Sequence, residues 1–281
     1  MIYLLLAVAS SAMVSLCMRL SEKHVRNTMA MFTVNYAVCL IISRISMGDI
    51  RLFTAESGIG TAVVLGLASG LMYLVNFVLL QRNIRYSGVV LSSASMKLGA
   101  VLIPVMVAIL LFHEQLRWPQ LVGAVVAVLA ILLINLGKDD IHHGSRKGWL
   151  IALLLVSGLT DTMANLYDKT GTEAMKNHYL FYTFLAALFL ALVLALRQRE
   201  KVKPADACYG LLIGIPNYFS ARFLLSALGR IPAVIVYPAY SVGTIITITL
   251  VGLIVFHEKL SKRKLGALLL ILAALVLLNA S

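Results

Sequence analysis

Long apolar runs separated by short charged gaps recur from one end of the sequence to the other, as in "VLIPVMVAILLF" at 101–112 and "LGALLLILAALVLLN" at 265–279. A helix that crosses a bilayer needs about 20 mainly apolar residues. Such spans are predicted near 2–20, 28–46, 59–80, 87–111, 119–136, 148–168, 178–196, 208–228, 232–255 and 264–279. No gap is long enough to hold a soluble domain, so any activity lies among the helices. Gly, Ala and Ser scattered through the spans let backbones approach closely in lipid. The expected fold is an all-α membrane protein of ten transmembrane helices.

Composition agrees. The chain is 60% hydrophobic and 13% charged, with a mean hydropathy of +0.93. A soluble domain has about 45–50% apolar residues and roughly a quarter charged. The formal net charge of +12 raises nucleic acid as a partner. The basic residues sit in the gaps between spans, however, so they read as loops facing lipid headgroups and cytoplasm. No basic domain exists to carry nucleic-acid binding. Cys17, Cys39 and Cys208 lack metal-type spacing and read as small buried hydrophobes. His142 and His143 read as a solvated loop pair. The first segment has no positive n-region and is expected to remain as a membrane helix.

Residues 91–135 and 235–279 repeat one another. Gly99 falls on Gly243, His113–Glu114 on His257–Glu258, and Asn135 on Asn279. The chain is therefore expected to comprise a first five-helix repeat over 1–137, a connecting loop at 138–147, and a second five-helix repeat over 148–281. Five is an odd number, so the second repeat enters the membrane from the opposite side. Inverted repeats of this kind are common among secondary transporters, with the substrate site near the midplane.

Ten spans, two five-helix halves and a Glu after the fourth span of each half resemble the EamA-type branch of the drug/metabolite transporter superfamily. The resemblance covers essentially the whole chain and is strongest over the two repeated segments. It implies a ten-helix transporter with cytoplasmic termini. One departure is in proline placement: the first half has Pro104, the second Pro232 and Pro238. The charge pattern points the other way on orientation. Sixteen basic residues lie in the odd-numbered connections and six in the even-numbered ones. The positive-inside rule then puts both termini outside the plasma (inner) membrane, and that is the orientation expected.

Lys97, Asp161 and Arg222 fall well inside spans. A charge at the bilayer centre is costly and normally faces an interior cavity with a role to play. Counting from one surface at ~1.5 Å per residue, the three lie roughly 15, 20 and 21 Å deep, at a common height near the midplane. One reading is an ion-pair network that fastens helices. One carboxylate cannot neutralise two cations, so the reading preferred here has Lys97 or Arg222 binding a substrate carboxylate or phosphate. Asp161 then binds a coupling proton or a substrate ammonium. Polar and aromatic residues at similar depth complete the expected substrate site: Tyr73 with Asn76, Asn217, and Tyr237, Tyr240 and Ser241. Asn35 and Tyr36 lie in the second span. Aromatic pairs at helical spacing are more often packing than a ligand cage, but Tyr240 is too deep for an interface belt. Glu114 and Glu258 sit at membrane edges and read as structural caps for the following helices.

No nucleophile elbow, HExxH or P-loop run is present, so no enzyme and no cofactor or metal is expected. The expected partners are a small-molecule substrate, a proton or counter-substrate, and membrane lipids. The reading is a secondary transporter of small polar metabolites, leaning to carboxylate- or phosphate-bearing solutes such as amino acids. Its rival is a carrier of organic cations or quaternary amines that uses Asp161 and the tyrosines. An intramembrane enzyme, a channel and a structural membrane protein are the readings from other classes.

Overall fold

The computed structural model describes residues 2–47, 58–112, 147–198, 200–230, 233–257 and 262–278, with isolated positions between 118 and 129. The long helices are α1 (Ile2–Ser21), α2 (Thr28–Ser46), α3 (Ile59–Ser87), α4 (Val89–Phe112), α5 (Lys147–Thr170), α6 (Lys176–Gln198), α7 (Pro204–Leu228), α8 (Ala233–Ile254) and α9 (Lys262–Leu278). A 3-10 turn, Glu173–Met175, leads into α6. No strand occurs among the described residues. These helices match nine of the predicted spans to within a few residues at most ends. The tenth, 119–136, falls almost entirely outside the described residues.

Among the described residues, six helical stretches are long and apolar enough to cross a membrane: Ile2–Ser21, Thr28–Ser46, Ile59–Ser87, Gly148–Thr170, Glu173–Gln198 and Pro204–Leu228. Val89–Ile103 and Ala239–Ile254 are shorter apolar stretches. Bulky apolar side chains also cover the outside, with Ile45 73% and Phe189 64% exposed. Water would penalise so apolar a surface, whereas hydrocarbon matches it. The chain is an integral membrane protein.

Local chemistry sets the helix ends. Asn27 caps α2, its Oδ1 accepting from the Ala30 N–H at 2.9 Å. Pro204 opens α7, where a missing N–H costs nothing. The buried Asp206 carboxylate in that first turn accepts from Lys203 N at 2.8 Å and from Arg26 N at 2.9 Å. It therefore ties the turn between α1 and α2 to the start of α7. Helix α3 runs seven residues beyond its predicted end at 80 and stops at Gly88, whose φ of 85° is open to glycine. Hydropathy misses this extension because "QRNIRYS" is polar. There Asn83 Nδ2 donates to Leu79 O at 2.8 Å and to Trp149 O at 3.0 Å.

The chain divides into two compact units, Met1–Val78 with Met163–Ile231, and Leu79–Thr162 with Pro232–Ser281. The divisions fall inside α3 and α5, so each unit draws on both halves of the sequence. In the first unit α1 lies on α7, and α2 lies on α6 and α7. Gly210 and Gly214 make the α2–α7 approach close. A Cβ on Gly210 would stand 2.6 Å from Met31 O, and one on Gly214 2.7 Å from Asn35 O. Gly66 and Gly70 do the same for α3 against the backbone of α6 at Tyr179 and Thr183. In the second unit α4 packs on α8, and α9 on both. Gly99 and Gly158 bring α4 and α5 together, and Ser157 Oγ crosses that contact to Met96 O at 2.8 Å. Small residues spaced by four are how helices pack where lipid removes the hydrophobic drive between them.

Candidate functional site

Lys97 on α4 is 3% exposed, and a buried ammonium is stable only with compensation. The α4–α8 contact supplies it, placing Lys97 Nζ 3.6 Å from the centroid of the Tyr240 ring. A ring face carries negative potential and attracts a cation there. Asp161, half-buried on α5 in the same unit, lies within electrostatic reach of Lys97. Ser241 follows Tyr240 on α8 and is fully buried, as is Ser93, one turn before Lys97 on α4. Neither serine hydroxyl has a hydrogen-bond partner among the described residues.

The other unit holds Arg222, Asn217, Tyr73 and Asn76. Arg222 is half-buried on α7, and no carboxylate pairs with it among the described residues. One turn earlier, the buried Asn217 donates from Nδ2 to Asn35 Oδ1 at 3.2 Å on α2 and lies 3.5 Å from Cys39 Sγ. The Cys39 thiol in turn donates to Gly214 O at 3.2 Å. Asn35 Nδ2, the Tyr36 hydroxyl and Asn76 Oδ1 are buried without a partner among the described residues. An aromatic seam threads this unit, from Tyr36 to Phe77 at 5.9 Å, Phe77 to Tyr73 at 6.3 Å, Tyr73 to Phe184 at 5.9 Å and Phe184 to Tyr218 at 6.2 Å. Tyr73 thus packs within the seam, with Asn76 one turn along the same helix.

The structure therefore seats Lys97 on Tyr240, keeps Asp161 within electrostatic reach of Lys97 and Ser241 in the same unit, and places Arg222, Asn217, Tyr73 and Asn76 in the other unit. The side chain of Tyr237 lies outside the described residues, and so do Glu114 and Glu258. His257, the described member of the second His-Glu pair, has a φ of 49° just beyond α8. The cysteines divide: Cys39 is buried, Cys17 half-buried, and Cys208 exposed on the first turns of α7, contrary to the expectation of three buried thiols. Sequence reasoning passed over Ser93 and named Asn35 and Asn217 without pairing them. Their signal was a polar side chain inside an apolar run, which shows depth but not direction.

A model of the EamA-like transporter family matches residues 147–280. Residues 147–280 are thus similar to the EamA-like transporter family. The EamA-like segment contains Asp161, Arg222, Asn217, Tyr240 and Ser241, while Lys97, Tyr73 and Asn76 precede it. An uncharacterized protein of Haemophilus influenzae is 25% identical over 202 residues, covering 70% of this chain and 68% of that protein. A protein of known crystal structure matches with a TM-score of 0.62 at 14% identity, covering 98% of this chain and 94% of that one. That likeness is one of fold.

Proposed function

We propose that this EamA-like protein is a secondary transporter working by alternating access, and that it carries a small polar metabolite bearing a carboxylate or phosphate, amino acids among them. Lys97 or Arg222 receives the anionic group, and Asp161 takes the coupling proton or a substrate ammonium. Polar side chains predicted at similar depth, Asn76, Asn217, Tyr237 and Ser241 among them, orient the substrate. No enzymatic activity belongs to this reading. Two inverted five-helix repeats, 1–137 and 148–281, supply the two halves that rock in turn. The protein sits in the plasma (inner) membrane with both termini outside, following its basic loops.

The observation that carries the reading is the seat of Lys97 on Tyr240. An organic-cation carrier needs an aromatic face and an acid open to its ligand. Here an internal ammonium covers that face and shares the field of Asp161, while Arg222 has no acid among the described residues. The surplus is positive, and an anion complements it.

A thermal-shift panel on detergent-purified protein tests this, using amino acids, sugar phosphates, dicarboxylates and quaternary amines with Lys97→Ala and Arg222→Ala alongside. A ligand that binds the folded state stabilises it by RT ln(1 + [L]/Kd), so millimolar binders register. Stabilisation by an anionic solute, lost in either variant, is expected. Stabilisation by amines alone that persists in both variants overturns the anion reading.

A further inference from the structure

We propose that the Lys97 ammonium and the hydroxyls of Ser93 and Ser241 form an oxyanion subsite, the point at which the carboxylate or phosphate of the substrate is held. The inference rests on the anion reading above and adds to it the groups that do the holding. Ser93 and Lys97 are four apart on α4, hence neighbours on one helix face. Lys97 reaches Tyr240, so this face is the one α4 turns toward α8. Ser241 follows Tyr240 directly. Both serines are 0% exposed, and both hydroxyls stand without a partner among the described residues.

A serine on a helix commonly bonds back to the carbonyl four residues earlier. Ser92, the neighbour of Ser93, does so, donating to Gly88 O at 2.7 Å. Thr244, next along from Ser241, bonds to Tyr240 O at 2.6 Å. Ser93 and Ser241 do not, although a buried unsatisfied hydroxyl is costly. Two such hydroxyls, one a turn before Lys97 on α4 and one next in sequence to its ring partner on α8, are donors awaiting an acceptor. A carboxylate or phosphate oxygen supplies acceptors with the matching charge, and bonds to a charged group are the strong ones. The Tyr240 ring holds the ammonium in place meanwhile without occupying it as a carboxylate would. The deep, dry position favours a small solute over a lipid headgroup.

The test uses the full chain, purified in detergent, with inorganic phosphate and acetate as probes and titration calorimetry beside thermal shift. Ser93→Ala and Ser241→Ala are compared with Lys97→Gln. Each serine variant is expected to weaken binding of the preferred probe by about tenfold, the loss of one hydrogen bond to a charged group. Its unliganded melting temperature is expected to hold or rise, because an unpaired hydroxyl has been removed. Lys97→Gln is expected to abolish binding. If wild type binds neither probe nor any anionic metabolite, the anion reading itself falls. If Lys97→Gln abolishes binding while both serine variants bind as wild type, the anion reading stands and the subsite is overturned. A serine variant that melts lower and binds normally also overturns it, since its hydroxyl then serves the fold.

Discussion

At the scale of single residues, the buried polar side chains are where stability and selectivity meet. Tyr240→Leu removes the ring face from Lys97 and is expected to cost about 2 kcal/mol, the strength of a desolvated cation–π contact. Tyr240→Phe keeps the face and should retain most of that stability. Thermal unfolding of the detergent-solubilised variants checks the ordering, and equal losses would show that the ring is not what holds the ammonium. The Asn35–Asn217 bond gives a second case. Asn217→Leu strands the buried Asn35 amide and is expected to destabilise by ~1–3 kcal/mol. The double replacement Asn35→Leu with Asn217→Leu should recover part of it, because neither partner is then left unpaired. Asn35 was visible in the sequence only as a polar residue in an apolar run. Its partner lies 182 positions away, and no local pattern encodes that distance.

At the scale of helices, small residues decide which faces meet. Gly214→Val would drive its side chain into Asn35 O and Val38, separating α2 from α7. A loss of at least about 2 kcal/mol is expected, in the range of overpacked cores, read as a drop in folded yield and melting temperature. Gly60→Ala is the control: nothing lies within 4 Å of its added Cβ, and replacing a helical glycine should stabilise by roughly 0.5–1 kcal/mol. The α5–α6 connection is held differently. Lys176 Nζ lies 2.6 Å from Glu173 and 3.5 Å from both Asp168 and Leu225 O, with only 6% of its side chain exposed. Lys176→Met is expected to cost about 2 kcal/mol, less than a fully buried pair, since Glu173 is 78% exposed and water screens its share. A melting temperature unchanged by that substitution would remove the clamp from the account.

At the scale of the whole molecule, the proposed orientation rests on charge. A cysteine placed at Lys201 in a Cys208→Ser background is expected to resist a membrane-impermeant maleimide in intact cells and to react after permeabilisation. Labelling in intact cells would turn the protein over and put its termini inside. The division of the chain is a separate matter from its repeat. The duplicated segments around Gly99 and Gly243 describe two sequence halves, yet each compact unit takes helices from both. Contact is a property of faces in space, whereas repetition is a property of order along the chain.

Hydropathy alone determined that the chain is helical and lies in a membrane, because some twenty apolar residues in a row leave the backbone one economical way to satisfy itself in lipid. It also showed Lys97, Asp161 and Arg222 lying inside apolar runs, since position along a helix follows from counting residues. Helix α3 shows its limit: the polar run 81–87 stays helical, and a bond from Asn83 to Trp149 O is what steadies it. Only the tertiary structure decided that Lys97 rests on Tyr240, that Asp161 shares its unit, and that Arg222 belongs to the other. Depth is written into each helix by itself, but the direction a side chain faces depends on which helices the small residues allow to touch.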